Sequence, residues 1–262
     1  MDKLAWSTQH SASASVRRHV FRLFAALGFA ALATAATAAP SMTACAVSGT
    51  VTVTVAGIGS PISLGCLNQA TRSSPGTADQ AAANVSIPST AGIDNLGNIQ
   101  TPESTVEYTT LPNAVTLAGS TKASSAQLVQ GLVSAQDVRE LMTCTLPAGG
   151  GNPVCQTSTT ISSLMLGGQA QTLPSPIPIN YSLPIQGNIV VKALGLLPIT
   201  VPVSGVVVLN EITTTGTGAA TQVQHSSIRV KVGGGLNVVS LGLVNVSIDV
   251  VDVQYCSSCI NF

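Results

Sequence analysis

Val51-Thr52-Val53-Thr54-Val55 alternates apolar and polar side chains without a fault, as do Ile228-Arg229-Val230-Lys231-Val232 and Val246-Ser247-Ile248-Asp249-Val250. A period of two sends successive side chains to opposite faces, so each stretch reads as a strand with one buried and one wet face. Val251-Asp252-Val253 continues the last of them out of phase, which predicts a bulge. Ile189-Val190-Val191 and Val206-Val207-Val208-Leu209 are unbroken apolar runs, the pattern of strands buried on both faces. Gly57-Ile58-Gly59-Ser60-Pro61, Gly167-Gly168, Gly216-Thr217-Gly218 and Gly233-Gly234-Gly235 read as turns between them. Short, numerous strands with such punctuation predict an all-β fold, a single antiparallel β-sandwich-like domain with Gly/Pro-rich loops.

Outside these stretches the pattern weakens. Arg72 to Asn84 is polar and rich in Ala and Ser, and reads as a surface loop. Ala123 to Met142 carries a partial helical stripe, but Gly131 and the alternation of Leu132, Ser134, Gln136 and Val138 favour an extended segment. The 171–202 region holds six prolines, so it must include edge strands or loops, because proline donates nothing to a central ladder.

The 262 residues suffice for one real core, or at most two, and 45% of them are hydrophobic, too many for a disordered chain. Only 8% are charged and the net charge is zero, which excludes a nucleic-acid binder that works by neutralising phosphates. Arg17, Arg18, His19 and Arg22 precede an apolar run, Leu23 to Ala36, that is too short to span a bilayer. Ala36-Thr37-Ala38 then supplies small residues for signal peptidase, so residues 1–38 are expected to be a signal peptide and 39–262 the secreted β-rich domain. Val16 and His19 fit a twin-arginine signal poorly. Residues 39–262 keep six basic and nine acidic side chains, a net charge of −3, with His225 as the only histidine.

Cys45, Cys66, Cys144, Cys155, Cys256 and Cys259 all lie in the exported part, and an even count there reads as disulfides. Sequence cannot choose among the fifteen pairings of six cysteines. Proximity suggests Cys45–Cys66, Cys144–Cys155 across the 147–153 turn, and Cys256–Cys259. Met42-Thr43-Ala44-Cys45 also resembles a lipobox, but methionine is unusual at its first position, Pro40-Ser41 interrupts the apolar run, and lipidation would strand a cysteine. Anchoring through Cys45 is therefore not expected.

Catalytic motifs are missing. There is no Gly-x-Ser-x-Gly elbow, phosphate loop or His-Glu-x-x-His helix. A hydrolytic triad would have to use His225, which sits ahead of an alternating strand and reads as a polar residue at a strand entrance. Glu103 and Glu107 could form a glycosidase pair but share one Thr-rich segment that reads as a solvated face. Asp94-Asn95-Leu96-Gly97-Asn98 has the look of a calcium loop without its alternating carboxylates, and reads as a turn. Cys256-Ser257-Ser258-Cys259 has the spacing of redox and zinc sites, yet it follows a strand and leaves no room for the helix a redox site starts. No cofactor or metal is expected. Three tyrosines cannot build the two aromatic girdles of an outer-membrane barrel.

The succession of Gly131-Leu132-Val133-Ser134-Ala135, Ser163-Leu164-Met165-Leu166-Gly167-Gly168, Val207-Val208-Leu209-Asn210-Glu211 and His225-Ser226-Ser227-Ile228-Arg229-Val230 resembles the choice-of-anchor P family, exported bacterial surface proteins with varied C-terminal anchors. The resemblance covers most of 39–262. It implies an extracellular β-rich domain with no established activity and carries no catalytic residue. The tail, Tyr255 to Phe262, departs from that family in showing no sorting motif, membrane segment or basic end.

Asn210 and Glu211 form the most notable polar pair, because they directly follow four apolar residues. They are the candidate polar site on a loop rim, and Glu211 would need hydrogen bonds or a cation such as Lys192, Arg229 or Lys231. The expected function is a secreted or cell-surface, non-enzymatic β-domain with a structural or adhesive role. Its partner is an unidentified surface or extracellular one, or a second copy joined through strand edges; the periplasm is also open to it. The competing readings are a carboxylate-dependent hydrolase centred on Glu211 and a thiol-redox protein using Cys256 and Cys259. The hydrolase requires Glu211 in a concavity beside another acid; the redox reading requires a reducible pair.

Overall fold

The computed structural model describes residues 39–55, 61–89, 92–149, 151–192, 198–218, 221–238 and 244–261. The expected signal peptide, residues 1–38, and most of the 57–61 turn lie outside the described residues. In chain order the strands are β1 (Ser41–Val55), β2 (Ile62–Ser63), β3 (Leu67–Arg72), β4 (Gly76–Ala81), β5 (Asn84–Ile87), β6 (Gly97–Gln100), β7 (Glu103–Leu111) and β8 (Ala114–Leu128). They continue as β9 (Val133–Pro147), β10 (Val154–Thr160), β11 (Ser163–Leu166), β12 (Gln169–Gln171), β13 (Tyr181–Val191), β14 (Ile199–Thr215), β15 (Gln222–Val238) and β16 (Val244–Asn261). Among the described residues there is no α-helix, and no helix is long and apolar enough to cross a membrane.

The fold is all-β, as the alternating stretches predicted. One sheet runs β13-β14-β15-β16-β1-β2, with β3 also on β1; the other runs β12-β11-β9-β8-β6-β5, with β10 on β9 and β7 on β8 and β4. Every pairing within the two sheets is antiparallel. The inner faces pack together, so Leu209, Ile228 and Tyr255 of the first sheet share a core with Leu128, Val133 and Val138 of the second. The bulge predicted near Val251 is there: Thr52 pairs with Val250 and Val53 with Ile248, leaving Asp249 as the extra residue.

Several local expectations are corrected. Strands are longer than their punctuation suggested, reaching 17 residues in β14 and β15 and 18 in β16. Gly233-Gly234-Gly235 is not a turn but lies inside β15. A Cβ on Gly234 would stand 2.0 Å from the Pro202 carbonyl oxygen, and one on Gly205 would stand 1.9 Å from that of Lys231. These glycines let neighbouring backbones approach, the other use of glycine within a strand. The Arg72–Asn84 loop contains β4, paired to β7. Ala123–Met142 is extended, but as the end of β8 and start of β9 around a turn at Val129, Gln130 and Gly131, all at positive φ. The runs Ile189–Val191 and Val206–Leu209 are buried on one face only, with Val190 38% exposed and Val206 and Val208 half-buried, because a two-sheet packing covers only the inner face of each sheet; β13 is in addition an edge strand. That position also explains how Pro184 is tolerated.

The long strands share one irregularity. Pairing in the first sheet skips Asn210, Ser227, Cys256 and Ala46 without changing register on either side, and in the second sheet it skips Ser124 and Asp137. Asn210 and Asp137 have φ of 51° and 45°. A residue in the left-handed region turns the pleat over, so the inward parity slips by one across this crease. In β15 the inward residues run Ile228, Val230, Val232 on one side and His225, Val223 on the other. The crease divides the apolar interior in two, a larger cluster around Leu209 and Ile228 and a smaller one around Met42, Met142 and Ile260.

Candidate functional site

Polar side chains fill the interior where those two clusters meet. On β9 the inward alternation Val138, Glu140, Met142, Cys144 places a carboxylate among apolar neighbours. Glu140 pairs across the sheet with Thr121 of β8 and Thr159 of β10, making a polar row. The opposing sheet contributes His225 of β15 beside Ser258 of β16, both wholly buried.

His225 Nδ1 lies 2.8 Å from Glu140 Oε1, and Ser258 Oγ and Thr121 Oγ1 donate to Glu140 Oε2 at 2.9 and 3.3 Å. On the other side of the ring, Nε2 is 2.8 Å from Asn210 Oδ1. The Asn210 amide is oriented by its own Nδ2, which donates to the Ile177 carbonyl at 2.9 Å. The oxygen therefore faces the imidazole, and Nε2 must carry a proton and donate it. One further proton lies on the line between Nδ1 and Glu140. Whichever atom holds it, imidazole plus carboxyl is neutral overall, which is what a dry interior tolerates. Burial raises the Glu140 pKa above its ordinary value, opposed by the hydrogen bonds from His225, Ser258 and Thr121.

Thr159 completes an arrangement with the parts of a hydrolytic relay. Its Oγ1 is 3.4 Å from His225 Nε2, with Glu140 on the opposite nitrogen. It also lines a concavity of about 450 Å³ that Ile177 borders. A relay, however, needs a lone pair on the nitrogen facing the nucleophile. Here that nitrogen donates to Asn210, while Thr159 donates to Ser227 Oγ at 3.4 Å. The contact from Nε2 to Thr159 is long, and no base is poised to take the hydroxyl proton.

The structure places the sequence-predicted residues elsewhere than expected. Asn210 is not on a loop rim: it is 4% exposed, at the crease, and serves as the hinge between imidazole and the Ile177 carbonyl. Glu211, the next residue, points to the opposite face. Both its oxygens accept from Arg229 Nη1, at 3.1 and 2.9 Å, and Arg229 also binds Asp252 through Nε and Nη2 at 2.8 and 2.7 Å. Of the three cations considered for Glu211, Arg229 is the partner. Hydrogen bonding to Asp252, against the cost of burial, holds the guanidinium pKa above its ordinary value. The neighbouring acid, Asp252, is thus bridged to Glu211 through the Arg229 cation on a sheet face.

Two disulfides match the proximity pairing, Cys45–Cys66 and Cys144–Cys155. Cys45 is therefore occupied and cannot be a lipid acceptor in this structure. The third expected bridge, Cys256–Cys259, is corrected: Cys259 is free. Both residues lie in β16, where three steps of extended chain span about 10 Å, beyond the roughly 7 Å limit for a disulfide. Burial raises the Cys259 thiol pKa above the usual value. Neither the terminal staple nor a reversible C-x-x-C couple can close on this strand.

His225 is buried within β15 rather than standing at a solvated strand entrance. Glu103 pairs with Lys122, and Glu107 accepts from Thr109, both on exposed positions. Asp94 pairs with Lys192, whose hydrogen bond lowers its pKa below the ordinary carboxylate value. No cluster of three or more His, Cys, Asp or Glu that could hold a metal occurs among the described residues.

Glu140, Thr159 and Ser258 were not singled out from sequence. The signal for Glu140 was available, because Val138, Glu140, Met142 and Cys144 share one phase and a carboxylate in an inward phase demands a buried partner. No protein-family model, curated protein or solved structure matches the chain.

Proposed function

We propose that this is an exported, non-enzymatic β-domain that works through its outer surfaces, in a structural or adhesive role at the cell surface or outside it. The observation that carries the reading is the engagement of the chemistry-bearing side chains with one another. His225, Glu140 and Asn210 are bound together in the interior, with Nε2 already donating, and Glu211 and Asp252 are held by Arg229. Two disulfides are compatible with an oxidising compartment. The resemblance to the choice-of-anchor P family supports the surface location.

The test sets retention against turnover. The purified protein is incubated with washed envelopes of the producing cells, and bound protein is measured against concentration. In parallel, ester and glycoside reporter substrates are assayed. Saturable retention, with no turnover above buffer, is the expected pair of results. Turnover that disappears in Thr159→Ala or Glu211→Gln would replace this reading with a hydrolase.

A further inference from the structure

A concavity of about 580 Å³, larger than the one beside Thr159, lies where the ends of β6, β8 and β13 meet. Its size is that of small-ligand sites, ~300–1,000 Å³. Three segments build it and tie one another in place. Val129 N and Gln130 N of the β8–β9 turn donate to Leu96 O and Asn95 O at 2.7 and 3.0 Å, and Lys192 N donates to Gly92 O at 2.7 Å. The Gln130 side chain bridges to β13, donating to Val190 O at 2.8 Å and accepting from Val190 N at 2.7 Å. It also donates to Asp94 O at 3.0 Å. Val129 is β-branched yet held at φ 51°, so these ties, not local preference, keep the turn in place. The wall is preformed.

The lining narrows the occupant. Asp94 is paired to Lys192 and accepts from Ser89 Oγ at 2.6 Å, so carboxylate and ammonium cancel and neither is left for an ion from solution. The calcium-loop look of Asp94 to Asn98 therefore has no free carboxylate behind it. Among the described lining residues Val190 alone has an apolar side chain, and none is aromatic. What faces the cavity unengaged is amide. The side chains of Asn95, Asn98 and Gln127 are exposed and have no hydrogen-bond partner among the described residues. Asn98 and Gln127 are cross-strand partners, so their Cβ atoms stand about 5 Å apart on one outward face. Each amide offers an acceptor oxygen and a donor NH2 side by side, the complement of two neighbouring hydroxyls.

We propose that this concavity binds a neutral saccharide, with the amides of Asn98 and Gln127 gripping adjacent hydroxyls and Asn95 extending the contact. An uncharged polyol matches uncharged groups that both give and take hydrogen bonds, and it asks for neither a free ion nor an apolar floor. The inference deepens the surface-binding reading by naming the chemistry recognised. It rests on that reading only for where the sugar is carried.

The protein expressed from its full coding sequence, labelled with nitrogen-15, is titrated with cellotetraose, mannotetraose and N-acetylchitotetraose, and with tetragalacturonate and calcium chloride as charged probes. At least one neutral tetrasaccharide is expected to shift the side-chain NH2 signals of Asn98 and Gln127 saturably. Asn98→Ala with Gln127→Ala should weaken that binding about tenfold or more, through the loss of two pairs of hydrogen bonds. Both positions are exposed, so an unchanged urea midpoint is expected and certifies folding. Retention on washed envelopes that the same tetrasaccharide blocks would support the site and place the sugar on the surface. Binding in solution without envelope retention would support the site for a free saccharide and sink the surface reading. Envelope retention equal in native protein and double variant, with no neutral tetrasaccharide moving these amides, would overturn the site and leave the surface reading standing. A response to tetragalacturonate or calcium alone would also overturn the proposal.

Discussion

Replacing Glu140 by leucine removes the partner of three buried groups, His225 Nδ1, Ser258 Oγ and Thr121 Oγ1. The two hydroxyls can rotate, but the imidazole is fixed at its other end by Asn210. Removing one member of a buried charged or proton-sharing pair typically costs ~3–5 kcal/mol, and we expect about 4 kcal/mol for Glu140→Leu. That is a large share of the ~5–15 kcal/mol that holds a domain together. Glu140→Leu with His225→Phe removes both partners and leaves chiefly Asn210 Oδ1 without its donor, a loss of about 1–3 kcal/mol. The double variant should therefore be no less stable than Glu140→Leu alone, giving a coupling energy of roughly 2 kcal/mol or more against the sum of the singles. Urea denaturation at pH 7 with the disulfides intact measures all three, with exposed Glu103→Leu as the control expected to change stability by under about 1 kcal/mol. A cost for Glu140→Leu below about 1 kcal/mol, or singles that simply add, would refute the reasoning.

Because burial raises the Glu140 pKa above its ordinary 4.5, the folded state binds this proton more tightly than the unfolded one. Its contribution is full below about 4.5 and is lost as pH rises through the folded value, so native stability should decline relative to Glu140→Gln over that window. Urea midpoints against pH check the sign, and a relative rise would contradict it. The raised pKa of Cys259 leaves less thiolate at any given pH, so its alkylation should be slower than that of a free thiol and reach the usual rate only on unfolding. Timed iodoacetamide labelling with peptide mapping reads this directly. Replacing Cys144 and Cys155 together by alanine should cost about 3 kcal/mol, the chain-entropy value for a loop of this size. Gly205→Ala drives a Cβ into the Lys231 carbonyl and Val232 Cα, both backbone, and should cost ~1–3 kcal/mol or more by thermal denaturation.

The alternating stretches made the sandwich legible, because each of Val51–Val55, Ile228–Val232 and Val246–Val250 has a period that only a half-buried strand explains. Strand length was not legible, since a glycine that admits a neighbouring backbone, as at Gly234, looks the same in sequence as one that starts a turn. The polar interior was half legible. Asn210 stood out as a polar residue ending an apolar run, and asparagine is one of the few side chains that accepts the left-handed backbone found there. Its burial could not be seen, because the crease slips the phase, sending Asn210 inward and Glu211 outward. Arg229 and Lys231 gave equal grounds for pairing with Glu211; only the strand register separates them, since Lys231 sits opposite Val206 and Arg229 opposite Val208. The third disulfide failed for a similar reason. Spacing of three suits a turn, and β16 continues through both cysteines as an extended strand.

The claim on which the functional reading turns is that His225 Nε2 carries a proton and donates it to Asn210. His225 is the only histidine in residues 39–262, so nitrogen-15 NMR of that segment's imidazole gives a single set of signals. The expected result is a protonated Nε2 with a slowly exchanging N–H that loses its protection in Asn210→Ala. A bare, acceptor Nε2 facing Thr159 would contradict it and make the buried network a hydrolytic relay.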